Sequence, residues 1–200
     1  EVEVSKKIKG ERPYHREDPR ILWLSQFLQK NKGKKVLLIC QKEADVIAIS
    51  SSLEERLDVP IALFHEGLSL LQRDRNAVWF SEARGAQILL SSEIGGEGRN
   101  FQFAQHLVLF DLPLEPEVLE QRIGRLDRIG QASEIFIHIP YIKHTDEEIL
   151  VRWYHDGLNA FAENFSGGYQ ALEVFGGKIE RLMEMDSLLR ETALDDLIEE

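Results

Sequence analysis

Arg122, Arg125 and Arg128 recur every three residues within the segment EQRIGRLDRIGQ, residues 120–131. On a helix this spacing keeps successive side chains near one face, drifting by about 60° per step. A guanidinium is planar and permanently charged, so it can bind two oxygens of a carboxylate or phosphate at once. Three such residues can also form nothing more than a solvated basic face. Position favours ligand chemistry: the segment follows an apolar run that ends in Phe110-Asp-Leu-Pro113. A helix there starts at the carboxyl edge of a sheet, where open α/β folds bind their ligands. Gly124 and Gly130 weaken a plain surface helix and suit a close backbone approach or a helix end. A second candidate is SSEIGGEGRNFQ, residues 91–102, which also follows an apolar run. Its glycines let backbone N–H groups approach a phosphate, although a simple glycine turn would look similar. A dinucleotide fingerprint fits poorly, because Phe101 stands at the third glycine position and no clear helix follows.

These segments need a scaffold, and the rest of the chain supplies an alternating pattern. Asp18-Pro19 can cap and open a helix carrying Ile21, Leu22, Leu24, Phe27 and Leu28, through about Lys30. Val36–Cys40 is a short continuous apolar run, suited to a strand buried on both faces. The spacing then predicts a helix over 44–57, a strand over 61–64, a helix over 69–82 and a strand over 87–91. A strand over 106–110, a helix over 115–126 and a strand over 134–140 complete the series. Strands alternating with such helices indicate βαβ units and a mostly parallel sheet lying between helices. Beyond Lys143 the strands stop. Residues 145–165 read as a helix with Ile149, Leu150, Trp153, Leu158 and Phe161 inward, Gly167-Gly168 breaks it, and 169–200 read as acidic helix. The expected organisation is a linker or strand stub over 1–18, an α/β lobe over 19–143 and an acidic helical extension over 144–200.

The net charge is −11, but it is unevenly spread. Residues 1–144 carry 20 Lys and Arg against 21 Asp and Glu, whereas 145–200 carry 4 against 14. A nearly neutral first part leaves nucleic-acid binding open, because attraction to phosphates depends on local patches. Cys40 is the only cysteine, so no internal disulfide forms, which fits a reducing compartment. No apolar run reaches the roughly 20 residues that a membrane-spanning helix needs. The first residues, EVEVS, carry no signal pattern and look like a cut edge of a longer protein.

With elements and candidates in order, Gln121–Gln131 resembles motif VI of the SWI/SNF-type ATPases of helicase superfamily two, Q-x-x-G-R-x-x-R-x-G-Q. The resemblance implies that Arg125 and Arg128 are catalytic, reaching ATP across a cleft, with Gln121 on the nucleotide side; Arg122 lies outside the common pattern. Phosphoryl transfer spreads negative charge over the γ-phosphate oxygens, and an arginine finger there contributes about 10³–10⁵ in rate, roughly 4–7 kcal/mol. Residues 91–102 resemble motif V of the same ATPases, which implies nucleotide contacts from Gly96, Glu97, Gly98 and Asn100 and a nucleic-acid contact from Ser92. Arg99 stands where the family often has Leu. Val36–Gln41 resembles motif IV, and Phe64-His-Glu-Gly67 with Gln72-Arg73 and Phe80 resembles the segment after it. These imply nucleic-acid contacts from Gln41 and His65, though a loop histidine is commonly only solvated. Stretches such as GRNFQFA over 98–104 and LVRWYH over 150–155 further resemble the RapA (HepA) family of bacterial RNA-polymerase-associated ATPases, well over 19–165 and more vaguely beyond. That likeness implies a RecA-like lobe, ATP with Mg held mainly by an N-terminal lobe, and duplex DNA or RNA and RNA polymerase as partners. It also implies a bacterial cytoplasmic, nucleoid-associated setting.

The chain contains no G-x-x-x-x-G-K-[ST] loop and no acidic D-E-x-H pair, so these 200 residues alone are expected to turn over ATP negligibly. No Cys/His spacing suggests a metal site. His138, in an apolar strand, reads as structural. A generic superfamily-two helicase lobe and a non-catalytic protein-binding lobe remain as alternatives. The acidic helices read either as a solvated cap or as a docking surface.

Overall fold

The structure, a computed structural model, describes residues 18–93, 100–126, 134–162, 168–185 and 187–199. The expected stub over 1–17, and Gly96, Glu97, Gly98, Arg99, Arg128 and Gly130, lie outside the described residues.

Helix α1 (Pro19–Lys30) begins where expected. Asp18 accepts the backbone N–H of Arg20, and the fixed φ of Pro19 suits the first turn. A turn through Gly33, at φ 79°, leads to strand β1 (Val36–Cys40); that left-handed backbone suits glycine. Then follow α2 (Glu43–Glu54), β2 (Ile61–Phe64), α3 (Leu70–Ser81) and β3 (Ile88–Ser92). Helix α3 opens with a capping box between Ser69 and Gln72. Strand β4 (His106–Leu109), helix α4 (Pro116–Ile123) and strand β5 (Phe136–His138) complete the sheet region. Each helix and strand expected over 19–143 exists, several of them shorter than expected: α2 ends at Glu54 rather than 57, and α4 and β5 shrink most. Helix α4 stops at Ile123 with Gly124 as its C-cap, and β5 spans three residues rather than seven.

The five strands are parallel, in the order β2-β3-β1-β4-β5. Parallel register puts Leu37, Leu89 and Leu107 on one face, and their neighbours Leu38, Leu90 and Val108 on the other. On the second face, Ile21, Leu24 and Leu28 of α1 and Val46, Ile49 and Leu53 of α2 close an apolar core. The first face is covered by Phe80 of α3, Phe101, Leu119 of α4 and the C-terminal helices. The connection leaving β1 therefore lies on one side of the sheet, and those leaving β3 and β4 lie on the other. The carboxyl end of β1 is a switch point of the kind that forms a crevice.

The expected helix over 145–165 is divided. Helix α5 (Asp146–Arg152) passes into one π-helical turn, Trp153–Gly157. Ile149 and Trp153 are buried as expected, and so is Tyr154. Its phenol O–H lies 2.9 Å from the Pro113 carbonyl and 3.1 Å from that of Leu114, tying this turn to the segment ahead of α4. Helices α6 (Gly168–Glu184) and α7 (Ser187–Glu199) follow, and Ile179, Leu182, Leu194 and Leu197 join the first core.

Candidate functional site at the carboxyl edge of the sheet

Four chain segments leave the sheet at one edge: Gln41 after β1, His65-Glu66 after β2, Glu93 after β3 and Asp111 after β4. Helix α4 lies over the same edge and brings Arg122, with Arg125 in the turn after it. Its start follows from Pro116 in the first turn, with Glu117 beside the positive helix end.

Arg122 is the organising residue, 1% exposed. Its Nε donates to Glu93 Oε2 at 2.6 Å, while Nη1 donates to Asp111 Oδ1 at 2.8 Å and to the Asp111 carbonyl at 2.7 Å. The second Asp111 oxygen accepts the backbone N–H of Gln41 at 2.8 Å. One guanidinium and one carboxylate thus join the ends of β1, β3 and β4 to α4. Burial opposes the Arg122 charge, but Asp111 and Glu93 outweigh it and hold the pKa above the ordinary arginine value. A cation neutralised in this way is a structural tie.

Arg125, in the turn after α4, is 9% exposed and lines a narrow cleft with Leu37, Ile39, Ser91, Ser92, Glu93 and Phe101. The Phe101 N–H donates to its carbonyl at 2.9 Å, fixing the end of the glycine-containing loop against α4. Both arginines are therefore buried: Arg122 is held by Glu93 and Asp111, and Arg125 lines the narrow cleft beside them. Arg128, like Gly96, Glu97 and Gly98, lies outside the described residues.

The other expected site residues divide as well. Gln41, Asn100 and Gln121 are exposed. The Asn100 side-chain oxygen accepts the Gln102 N–H at 3.2 Å. Ser92 is buried and donates its hydroxyl to Glu66. His65, read as a loop histidine, is also buried, with Nδ1 3.0 Å from Glu43 Oε1. Both tie neighbouring loops together. The sequence reading missed Glu93, Asp111, Glu66 and Glu43. Their signal was available: a carboxylate directly after a buried apolar strand, or opening the next helix. Buried Cys40 stands beside this edge, and burial, with Asp111 and Asp45 nearby, pushes its thiol well up. Among the described residues no group of three or more His, Cys, Asp or Glu could hold a metal ion.

A five-stranded parallel sheet between helices, with a buried arginine of α4 tying its carboxyl edge, defines a RecA-like lobe of the helicase kind. Solved structures share this fold. The C-terminal part of the Fun30 ATPase domain superposes with a TM-score of 0.58 at 17% identity, over 91% of this chain and 53% of that one. The Sulfolobus solfataricus SWI2/SNF2 ATPase core, solved with dsDNA, gives 0.59 at 19% identity, over 88% and 35%. Domain 2 of the DEAD-box helicase Mss116p, bound to an RNA duplex, gives 0.57 at 21%, over 70% and 54%. The chain thus spans about half or less of these proteins' structures. Over residues 19–130 it belongs to the helicase conserved C-terminal domain family, and residues 134–200 match the C-terminal region of the RNA polymerase recycling family. No described helix is long and apolar enough to cross a membrane.

Proposed function

We propose that this chain is the second motor lobe of a bacterial, ATP-dependent, nucleic-acid-stimulated SWI/SNF-type translocase that associates with RNA polymerase and promotes its recycling. The supporting observation is the convergence of the β1, β3 and β4 ends with α4, next to which Arg125 lines a narrow cleft with Ser91, Ser92 and Glu93. ATP with Mg, bound mainly by an N-terminal lobe of the same protein, supplies the transferable phosphoryl group. The fit to this group rests on donor type. Of the two described arginines of this segment, Arg122 is neutralised by carboxylates, and Arg125 lines the cleft beside Ser92 and Glu93. Its part, with Arg128, is to stabilise charge on the phosphate oxygens. Gly96, Glu97, Gly98, Asn100 and Gln121 belong to the nucleotide side, and Gln41, His65 and Ser92 to the nucleic-acid side. The buried positions of His65 and Ser92 suit an indirect role, in which they hold loops whose backbone meets the phosphates.

The test is Arg125→Ala in the full-length protein. DNA-stimulated ATP hydrolysis falls by about 10³-fold or more, while nucleotide binding by fluorescence titration changes little. Unchanged hydrolysis would favour a protein-binding scaffold. The DEAD-box likeness, nearly equal in TM-score, keeps a generic helicase in view. Strand displacement distinguishes the two, because a duplex translocase moves on DNA without separating its strands.

A further inference from the structure

A second cleft lies away from the glycine loop, at the seam between the sheet edge and the C-terminal helices. About 240 Å³ in volume, it is walled by Phe110, Leu112, Ile139, Leu150, Val151 and Met183, with Tyr141 at its rim, 37% exposed. A cavity of roughly 150 Å³ lined by such side chains already accepts a benzene ring, so this one takes a large aliphatic or aromatic side chain. Three carboxylates, Asp111, Asp146 and Glu147, border it. Each is paired, Asp111 with Arg122, Asp146 with Arg190 and Glu147 with Arg20, while the segment 145–200, which supplies five of the eleven lining residues, carries 14 acidic against 4 basic residues. Such surroundings repel nucleic-acid phosphates and attract basic protein segments. Eight of the eleven residues lining the cleft fall within the region that matches the polymerase recycling family.

We infer that this cleft is a docking site for RNA polymerase, receiving one large apolar side chain from a Lys- or Arg-rich polymerase segment. The inference rests on the polymerase association proposed above. The cleft also touches the motor edge: Asp111, in its wall, is the residue that holds Arg122 and the Gln41 backbone. A bound side chain would press directly on the loop that positions α4.

The experiment titrates core RNA polymerase against the full-length protein, wild type and Val151→Trp, by a fluorescence or mass-based binding assay. A tryptophan at 151 fills the cleft. It should weaken binding at least tenfold, about 1.4 kcal/mol, while wild-type affinity falls several-fold between about 0.1 and 0.5 M salt. If Val151→Trp lowers the melting temperature, Tyr141→Ser on the exposed rim takes its place, with an expected loss of threefold or more. Wild-type affinity retained by both variants would overturn the docking site and leave the association standing. Failure of the wild type to bind polymerase would overturn both. Protection of the cleft by duplex DNA rather than by polymerase would also overturn the assignment.

Discussion

Arg122→Met should destabilise this chain by about 3 kcal/mol without touching any surface property. Removing one partner of a buried ion pair costs roughly 3–5 kcal/mol, because the remaining charge loses its compensation. Here two carboxylates lose it, Glu93 and Asp111, but each remains about a quarter exposed (25% and 24%), so water recovers part of the loss. The lower end of the range therefore applies. For a chain of this length each kcal/mol moves the melting temperature by roughly 2–4 °C, which gives a fall of about 6–12 °C. Arg122→Lys should restore less than half of the loss, since an ammonium cannot bridge Glu93, the Asp111 carboxylate and the Asp111 carbonyl together. The assay is urea unfolding of the 200-residue chain, run as a double-mutant cycle with Glu93→Gln. A coupling of about 1 kcal/mol or more is expected for residues in one network. Strict additivity, or a loss for Arg122→Met below about 1 kcal/mol, would refute the tie.

Two further outcomes follow from the packing. His106 Nδ1 and His138 Nε2 lie 3.1 Å apart, and burial lowers both pKa values, with Lys34 adding to the effect at His106 and His106 adding to it at His138. A depressed folded-state pKa means that the unfolded chain takes up protons first. Stability from this pair is therefore full above the unfolded value of about 6.5 and declines as pH falls below it. Urea midpoints between pH 7.5 and 5 should drop more for the wild type than for His138→Phe. Tyr154→Phe removes the hydroxyl that meets the Pro113 and Leu114 carbonyls. It should cost about 0.5–1.5 kcal/mol in the same assay, with the fold retained by circular dichroism.

Much of the scaffold was legible because strands buried on both faces must be apolar throughout. Val36–Cys40 and Ile61–Phe64 could hardly be read otherwise, and their observed bounds agree with the expected ones. Helix starts were legible where capping chemistry is local, as at Asp18-Pro19 and Ser69. The arginine helix was foreseen, but three arginines of one type carry no label for what each will meet. Only the third dimension puts Glu93 and Asp111, 29 and 11 residues away, against Arg122 rather than Arg125. Ser92 and His65 were expected to contact nucleic acid because of the family resemblance, which says nothing of their burial. Glu66 and Glu43, which engage them, are close in space for reasons that no local window contains. The π-helical turn escaped notice because its residues, WYHDG, fit ordinary helix spacing. Tyr154 was not among the expected inward positions, yet its ring belongs to the core.

The C-terminal helices share one continuous apolar core with a face of the sheet. Arg20 adds a clamp at the opposite end of the chain: its guanidinium lies over the Phe110 ring, pairs with Asp18 and reaches Glu147 of α5. The described part of the acidic tail is therefore joined to the lobe both through the apolar core and through this ion pair. Cutting the chain after Lys143 would strip part of the covering from one face of the sheet, leaving Phe80, Phe101 and Leu119 there, and should lower the melting temperature of the remaining lobe.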